Sequence, residues 1–553
     1  MKNKFVLPKM VIFLSVLFIV VMALRPLSAT PVSGEAPDII LKINDLEKNL
    51  NLIDQVLGIG ESPDGASLSN QIRQLLQTTD WIDPSRSIIV GVELIDPQPT
   101  AALLIPFRLH NEAFQTNFGA GSEMNSYIVS LPPGQPVGIS NAFKSALDAA
   151  SRSKSKYFIT LEIGLRRLIE KGDQQIQQML GKLETMPQAE GAQQMPFKPI
   201  DVQEMIRNML DTAAQLETLS ISLDMNREKF YFLTEAQAAS GTGLAKLFVS
   251  KAGSSLLSRY RPGHQINFRS QSYDFEGLLE LIEKSFGNIY AKMGFDFSEI
   301  VAISRHFNGE MAGGITFDPD TIQFEGMYVL KDPKIAPDFA RSVYLPWIEK
   351  FNQTMVQNME ALSGQKVDDI FVRTKESKVA GRKVYGVRFT MPAMPESNQQ
   401  IGFPAQALMK DFEYRFTTVD SLFIFAQNDG QIGKLMKKAK TLKSTPAKGA
   451  LMFMDIDMGS YFEFVQQTMP GVFAADQPMP KLGKMHFALD FKNGRAISSS
   501  SLMINDLKNI ITLISQEEFG KTQSGFGPTE QKGALSTSLK TDADREQAAC
   551  WFK

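Results

Sequence analysis

Two hydrophobic periods alternate along the chain. Apolar runs of strand character cover Ile88 to Ile95, Ala101 to Leu109, Met311 to Phe317 and Ile322 to Leu330, and each pair is separated by an Asp-Pro step, Asp96-Pro97 or Asp318-Pro319. Proline fixes φ and has no N–H, so it suits a turn and forbids a continuing central strand; both places predict hairpins. Between such runs lie stretches with a period near 3.6, predicting helices. Leu46, Leu50, Ile53 and Leu57 form one stripe, and Phe275, Leu278, Leu279, Ile282 and Phe286 another, with Asp45 and Asp274 placed as N-caps.

The two patterns recur in the same order. Ser126-Tyr-Ile-Val-Ser-Leu followed by Gly134 matches Ser421-Leu-Phe-Ile-Phe-Ala followed by Gly430, and the next strands end at Gly164 and Gly459. After each comes a hairpin, at Leu223-Asp224 and at Leu489-Asp490, the second turned by Asn493-Gly494. The expected fold is therefore α+β, with two tandem duplicated lobes. Each lobe holds two strand-helix-hairpin-helix units, forming antiparallel or mixed sheets with helices packed on one face. The lobes are assigned to residues 38–263 and 264–515, the second carrying an insertion around 345–415.

The ends differ from this body. Lys2, Lys4 and Lys9 precede the apolar run Met10 to Leu24, and Ala29 closes a small-residue stretch, so residues 1–29 read as a secretory signal, followed by a linker over 30–37. An uncleaved leader would anchor the chain in a membrane. Residues 516–553 are polar and aperiodic and are expected to form a disordered tail that includes the single Cys550.

Composition excludes more chemistry than it supports. The chain carries 58 Lys+Arg against 60 Asp+Glu, which argues against a general nucleic-acid binder. Only four histidines occur, His110, His264, His306 and His486, none spaced to share a ligand, so no metal site, cofactor or His-based nucleophile is expected. Gly60 and Gly65 have the outer spacing of a phosphate loop but lack its lysine. Ser151/Lys154 and Ser363/Lys366 have Ser-Lys spacing and, with the abundant carboxylates, define the alternative of a secreted hydrolase. Met452, Met454 and Met458 read as core residues of one strand.

Two features offer contact surfaces. A helix over Val202 to Leu216, capped by Asp201 and Glu204, presents Met205, Met209 and Leu216 to its own domain, a ligand or a partner. Lys434, Lys437 and Lys438 form a basic cluster suited to an anionic surface, including peripheral contact with a membrane.

With its leader, its repeated units and the motif Phe307-Asn-Gly-Glu-Met-Ala-Gly-Gly before the Asp318-Pro319 hairpin, the chain resembles exported bacterial proteins that carry repeated domains of unknown function. The resemblance implies a periplasmic or extracellular envelope setting and no site residues. The expected function is non-catalytic binding, as a scaffold for another envelope protein or as a carrier of an apolar ligand. A cavity of several hundred Å3 between helices and sheet would favour the carrier.

Overall fold

A computed structural model of the chain describes residues 36–46, 48–49, 52, 83, 85–94, 100–107, 122–124, 127–130, 140–153, 156–185, 199–249, 253–292, 297–317, 322–363, 366–390, 412–447, 449–468 and 478–510. The leader, both Asp-Pro steps, the Gly60 to Gly65 loop, Lys154, Cys550 and the 516–553 tail lie outside these residues.

The fold is α+β around a large antiparallel sheet. Its first strands are β1 (Ile39–Ile43), β2 (Ile88–Glu93), β3 (Thr100–Pro106), β4 (Ser122–Met124), β5 (Tyr127–Ser130), β6 (Ile159–Ile163), β7 (Leu216–Met225) and β8 (Lys229–Ala238). After a short β9 (Ser254–Ser255) come β10 (Ile266–Ser270), β11 (Phe307–Phe317), β12 (Ile322–Leu330), β13 (Phe371–Val379), β14 (Arg382–Phe389), β15 (Phe412–Val419) and β16 (Leu422–Ala426). The last are β17 (Thr445–Pro446), β18 (Met452–Asp457), β19 (Lys484–Lys492) and β20 (Arg495–Met503). Eighteen of these strands form one sheet, and β9 pairs separately with β17.

Successive pairings give the spatial order β4-β5-β3-β2-β1-β6-β7-β8-β20-β19-β18-β10-β11-β12-β16-β15-β14-β13, antiparallel at every step. At the centre, β8 meets β20 in a register that runs from Lys229 opposite Met503 to Gln237 opposite Arg495. The β19–β20 hairpin turns on Asn493 and Gly494, with φ of 53° and 75°, the left-handed pair that a two-residue hairpin requires.

Among the described residues the helices are α1 (Asn141–Arg152), α2 (Leu165–Thr185), α3 (Pro199–Ala213), α4 (Gly243–Leu247), α5 (Phe275–Lys292), α6 (Phe297–Ser304), α7 (Ala336–Phe339), α8 (Leu345–Ser363), α9 (Asp429–Ala439) and α10 (Met458–Thr468). A π-helical turn, Ala340–Tyr344, joins α7 to α8. Side-chain caps fix several starts: Ser140 Oγ accepts from Phe143 N (3.0 Å), Asn428 Oδ1 from Gln431 N (3.0 Å), and Asp274 Oδ1 from Gly277 N (3.1 Å), the last as expected.

The helices pack on both faces of the sheet, which corrects the expectation of one face. Neighbouring residues of a strand point to opposite sides. Ile89 packs under Phe143 and Leu147 of α1, whereas Val90 joins Leu41, Phe158 and Ile159 on the other side. Ile424 packs under Ile432, Leu435 and Met436 of α9, whereas Phe423 faces Phe339, Leu345 and Ile348. The strands bearing these residues are apolar on both faces and therefore need two covers.

Two helix boundaries also differ from the sequence reading. α3 starts at Pro199 and ends at Ala213, so Asp201 lies inside its first turn and Leu216 opens β7 instead of extending the helical stripe. The alternation Leu219, Ile221, Leu223 recruits that segment into the ladder with β6 and β8. Met458 begins α10, off the strand that holds Met452 and Met454.

Candidate functional site

An aromatic cavity lies between the β12, β15 and β16 end of the sheet and the helices α5, α6 and α8. Strand alternation supplies its floor: Phe324 and Tyr328 from β12, Phe412 and Tyr414 from β15, Phe423 and Phe425 from β16 all project to one face. Phe275 and Leu279 of α5, Ile300, Ile303 and Ser304 of α6, and Trp347 of α8 form the roof, with Phe307 and Tyr344 closing the sides. The cavity volume is about 420 Å3, within the usual range for small-molecule sites.

Glycines make room for this floor. Gly313 and Gly326 face each other across β11 and β12, and a Cβ on Gly326 would collide with the Phe425 ring. A Cβ on Gly313 would come within 2.7 Å of Phe268. The rings then lock by mutual packing: Tyr344 lies 4.5 Å from Phe423 and 4.8 Å from Phe416, and Tyr328 stacks on Phe425 at 5.6 Å. Such contacts are worth about 0.5–1.5 kcal/mol per pair beyond area burial, enough to hold a rigid wall.

The polar atoms are few and placed. Trp347 Nε1 donates to the Glu299 carbonyl (2.7 Å) and Ser304 Oγ to the Val301 carbonyl (2.7 Å), so both are spent on the roof. Burial pushes the Tyr344 hydroxyl up to about 12, the hydrogen bond with Tyr414 partly offsetting it. Burial also raises Tyr328 and, with the neighbouring Tyr344, Tyr414. All three therefore remain neutral phenols over the physiological range.

A second polar cluster sits on the opposite face. Tyr260 Oη donates to Glu325 Oε1 (2.7 Å), His264 Nε2 is 3.4 Å from the same oxygen, and His264 Nδ1 is 2.7 Å from Thr316 Oγ1. A Cβ on Gly314 would lie 2.6 Å from the imidazole, so glycine there admits the ring. Burial opposes ionisation of Glu325, but hydrogen bonds from His264 and Tyr260, together with the nearby Lys434, leave its carboxyl below the ordinary value. This cluster ties the segment before β10 to β11 and β12.

The residues singled out from sequence lie elsewhere. Met209 is 46% exposed on α3, with Met205 one turn earlier on the same helix, while Leu216 packs among Ala238, Leu244 and Phe248. Lys434, Lys437 and Lys438 stand exposed on α9. Ser151 Oγ donates to the Asp148 carbonyl (2.8 Å), and Lys366 is exposed. None of these lines the cavity. Four of the cavity residues were signalled by aromatic residues at every second position, Phe412, Tyr414 and Phe423, Phe425, a period that marks one face of a strand.

Comparison with known proteins adds little. No family model and no curated protein matches the chain. Among solved structures, crystal form I of TP0453 is 11% identical with a TM-score of 0.17, covering 38% of this chain and 78% of that one. Crystal form IV of TP0453 is 12% identical with a TM-score of 0.16, covering 37% and 78%. Among the described residues, no helix is long and apolar enough to cross a membrane.

Proposed function

We propose that the protein is a carrier of an apolar ligand, held in the aromatic cavity. The observation that carries the reading is the cavity's composition: about 420 Å3 lined, among the described residues, by fourteen side chains, ten of them aromatic and none charged. Native cores are packed to crystal density, so an apolar space of this size loses dispersion contacts that a ligand restores.

The test is saturation binding of the fluorescent apolar probe N-phenyl-1-naphthylamine. Wild type should bind one equivalent, and Leu279→Trp, which adds an indole ring to the cavity wall, should weaken binding while leaving the melting temperature within a few degrees. Equal binding by the variant would remove the reading.

The chain is further read as two tandem lobes, 38–263 and 264–515, and position-by-position agreement of registers supports it. Ile39 pairs with Val92 and Ile163 as Ile266 pairs with Ile315 and Ile456. Leu223 joins Ile159 and Phe232 as Leu489 joins Met452 and Ser498. In this reading β13 and β14 belong to the insertion, and the cavity is particular to the second lobe. The leader pattern supports export to a bacterial envelope, and N-terminal sequencing of the native protein should find Thr30 first.

A further inference from the structure

The cavity's unspent hydrogen-bond donors narrow the class of ligand, an inference that rests on the carrier reading. Five lining side chains carry a polar hydrogen: Ser304, Tyr328, Tyr344, Trp347 and Tyr414. Ser304 and Trp347 use theirs on the Val301 and Glu299 carbonyls. Tyr344 and Tyr414 share at most one hydrogen bond, so one of these two hydroxyls keeps its proton. The Tyr328 hydroxyl meets no acceptor among the described side chains, so its proton and one proton of the Tyr344–Tyr414 pair are unspent, and all three residues line the cavity.

A hydroxyl in an apolar space without an acceptor is destabilising, and an oxygen on a ligand relieves it. A carboxylate would supply that oxygen but would meet no cation among the described lining residues. An alkylammonium head would find ring faces, yet it offers no acceptor to the two hydroxyls and meets no carboxylate on the wall. We infer that the cavity takes an uncharged apolar molecule bearing an acceptor oxygen, of the ester, ketone or quinone type, bound through Tyr328 and the Tyr344–Tyr414 pair.

The experiment is displacement of N-phenyl-1-naphthylamine from the full chain at pH 7.5 by matched twelve-carbon competitors below their micellar concentrations: methyl laurate, laurate and dodecyltrimethylammonium. Methyl laurate should compete at least roughly tenfold more tightly than either charged analogue, because one desolvated, unpaired charge outweighs a hydrogen bond. Tyr328→Phe, and Tyr344→Phe combined with Tyr414→Phe, keep the rings and remove the donors. Each should weaken the ester by roughly 3- to 10-fold relative to the probe. Equal or tighter competition by laurate or the ammonium, or an unchanged ester affinity relative to the probe in the variant lacking all three hydroxyls, would overturn the inference while the carrier reading stands. Failure of the probe to bind at all would overturn both.

Discussion

Leu233 of β8 lies directly opposite Ser499 of β20, at the midpoint of the ladder that joins the two halves of the sheet. Counting outward, Lys229 meets Met503 and Arg495 meets Gln237, so hairpin-proximal ends face hairpin-distal ends symmetrically. Antiparallel pairing of two equivalent strands in this register is the geometry of a two-fold interface. A chain of residues 38–263 alone would present β8 as an open edge, and an open edge recruits another strand. Such a chain should dimerise through β8 with Leu233 opposite its own copy. Sedimentation should give a dimer that Leu233→Pro converts to monomer; a monomeric parent would contradict the fused-lobe reading.

Lys42 is buried on β1, donating from Nζ to the Ala150 carbonyl (2.8 Å), to the Ser153 carbonyl and to Ser153 Oγ (3.0 Å), which caps the end of α1. Replacing it by Met should destabilise the protein by about 1–3 kcal/mol, because the carbonyls stay buried. Desolvation lowers the Lys42 pKa below 10.5, so across that window the unfolded chain binds more protons and stability rises with pH. The deficit of Lys42→Met should consequently widen as pH approaches 10.5, measured as the difference in urea midpoint free energy between the two proteins. A constant difference would mean that the lysine is as well solvated folded as unfolded.

Much of the local structure was legible in the residues. Asp274 caps α5, Asn493-Gly494 turns the last hairpin, and the strand ending at Gly164 pairs as its alternation requires, each because the signal is contained within a few residues. The end of α3 was not legible, since a helical stripe from Val202 runs without a break into the alternation that begins at Leu216 and only strand pairing separates them. Nor was the cavity. Phe425 becomes part of its floor through standing opposite Gly326, and that pairing joins residues almost a hundred positions apart. Periodicity gave the face of each strand but not the neighbour.

Glu325 should govern part of the acid sensitivity. Its folded pKa is lower than its unfolded one, so its contribution is complete above about 4.5 and is lost as pH falls through the folded value. Glu325→Gln retains an oxygen for Tyr260 but cannot ionise. The variant should be less stable than wild type at pH 7, and the two should converge below pH 4 in thermal melts. A gap that persists unchanged into acid would assign the effect to packing and not to charge.

The most demanding prediction exchanges side chains between matching ladder positions. Across Val90, Leu103 and Ser130 the first half places bulk in the middle, whereas across Gly313, Gly326 and Phe425 the second half places it at the end. Gly326→Leu alone drives its side chain into the Phe425 ring, and overpacking of this kind costs about 1–3 kcal/mol. Phe425→Ser alone removes a ring from the cavity floor and costs about 3–5 kcal/mol by analogy with large-to-small changes. Combined, the pair reproduces Leu103 opposite Ser130, and the leucine occupies space the ring has left. The double variant should be more stable than the sum of the single effects predicts, by about 1 kcal/mol or more in a double-mutant cycle, because the two sites are in contact. It should also lose apolar probe binding, since the floor of the cavity has been rebuilt. Additive stabilities would show that the ring and the glycine are not the reciprocal pair their register makes them.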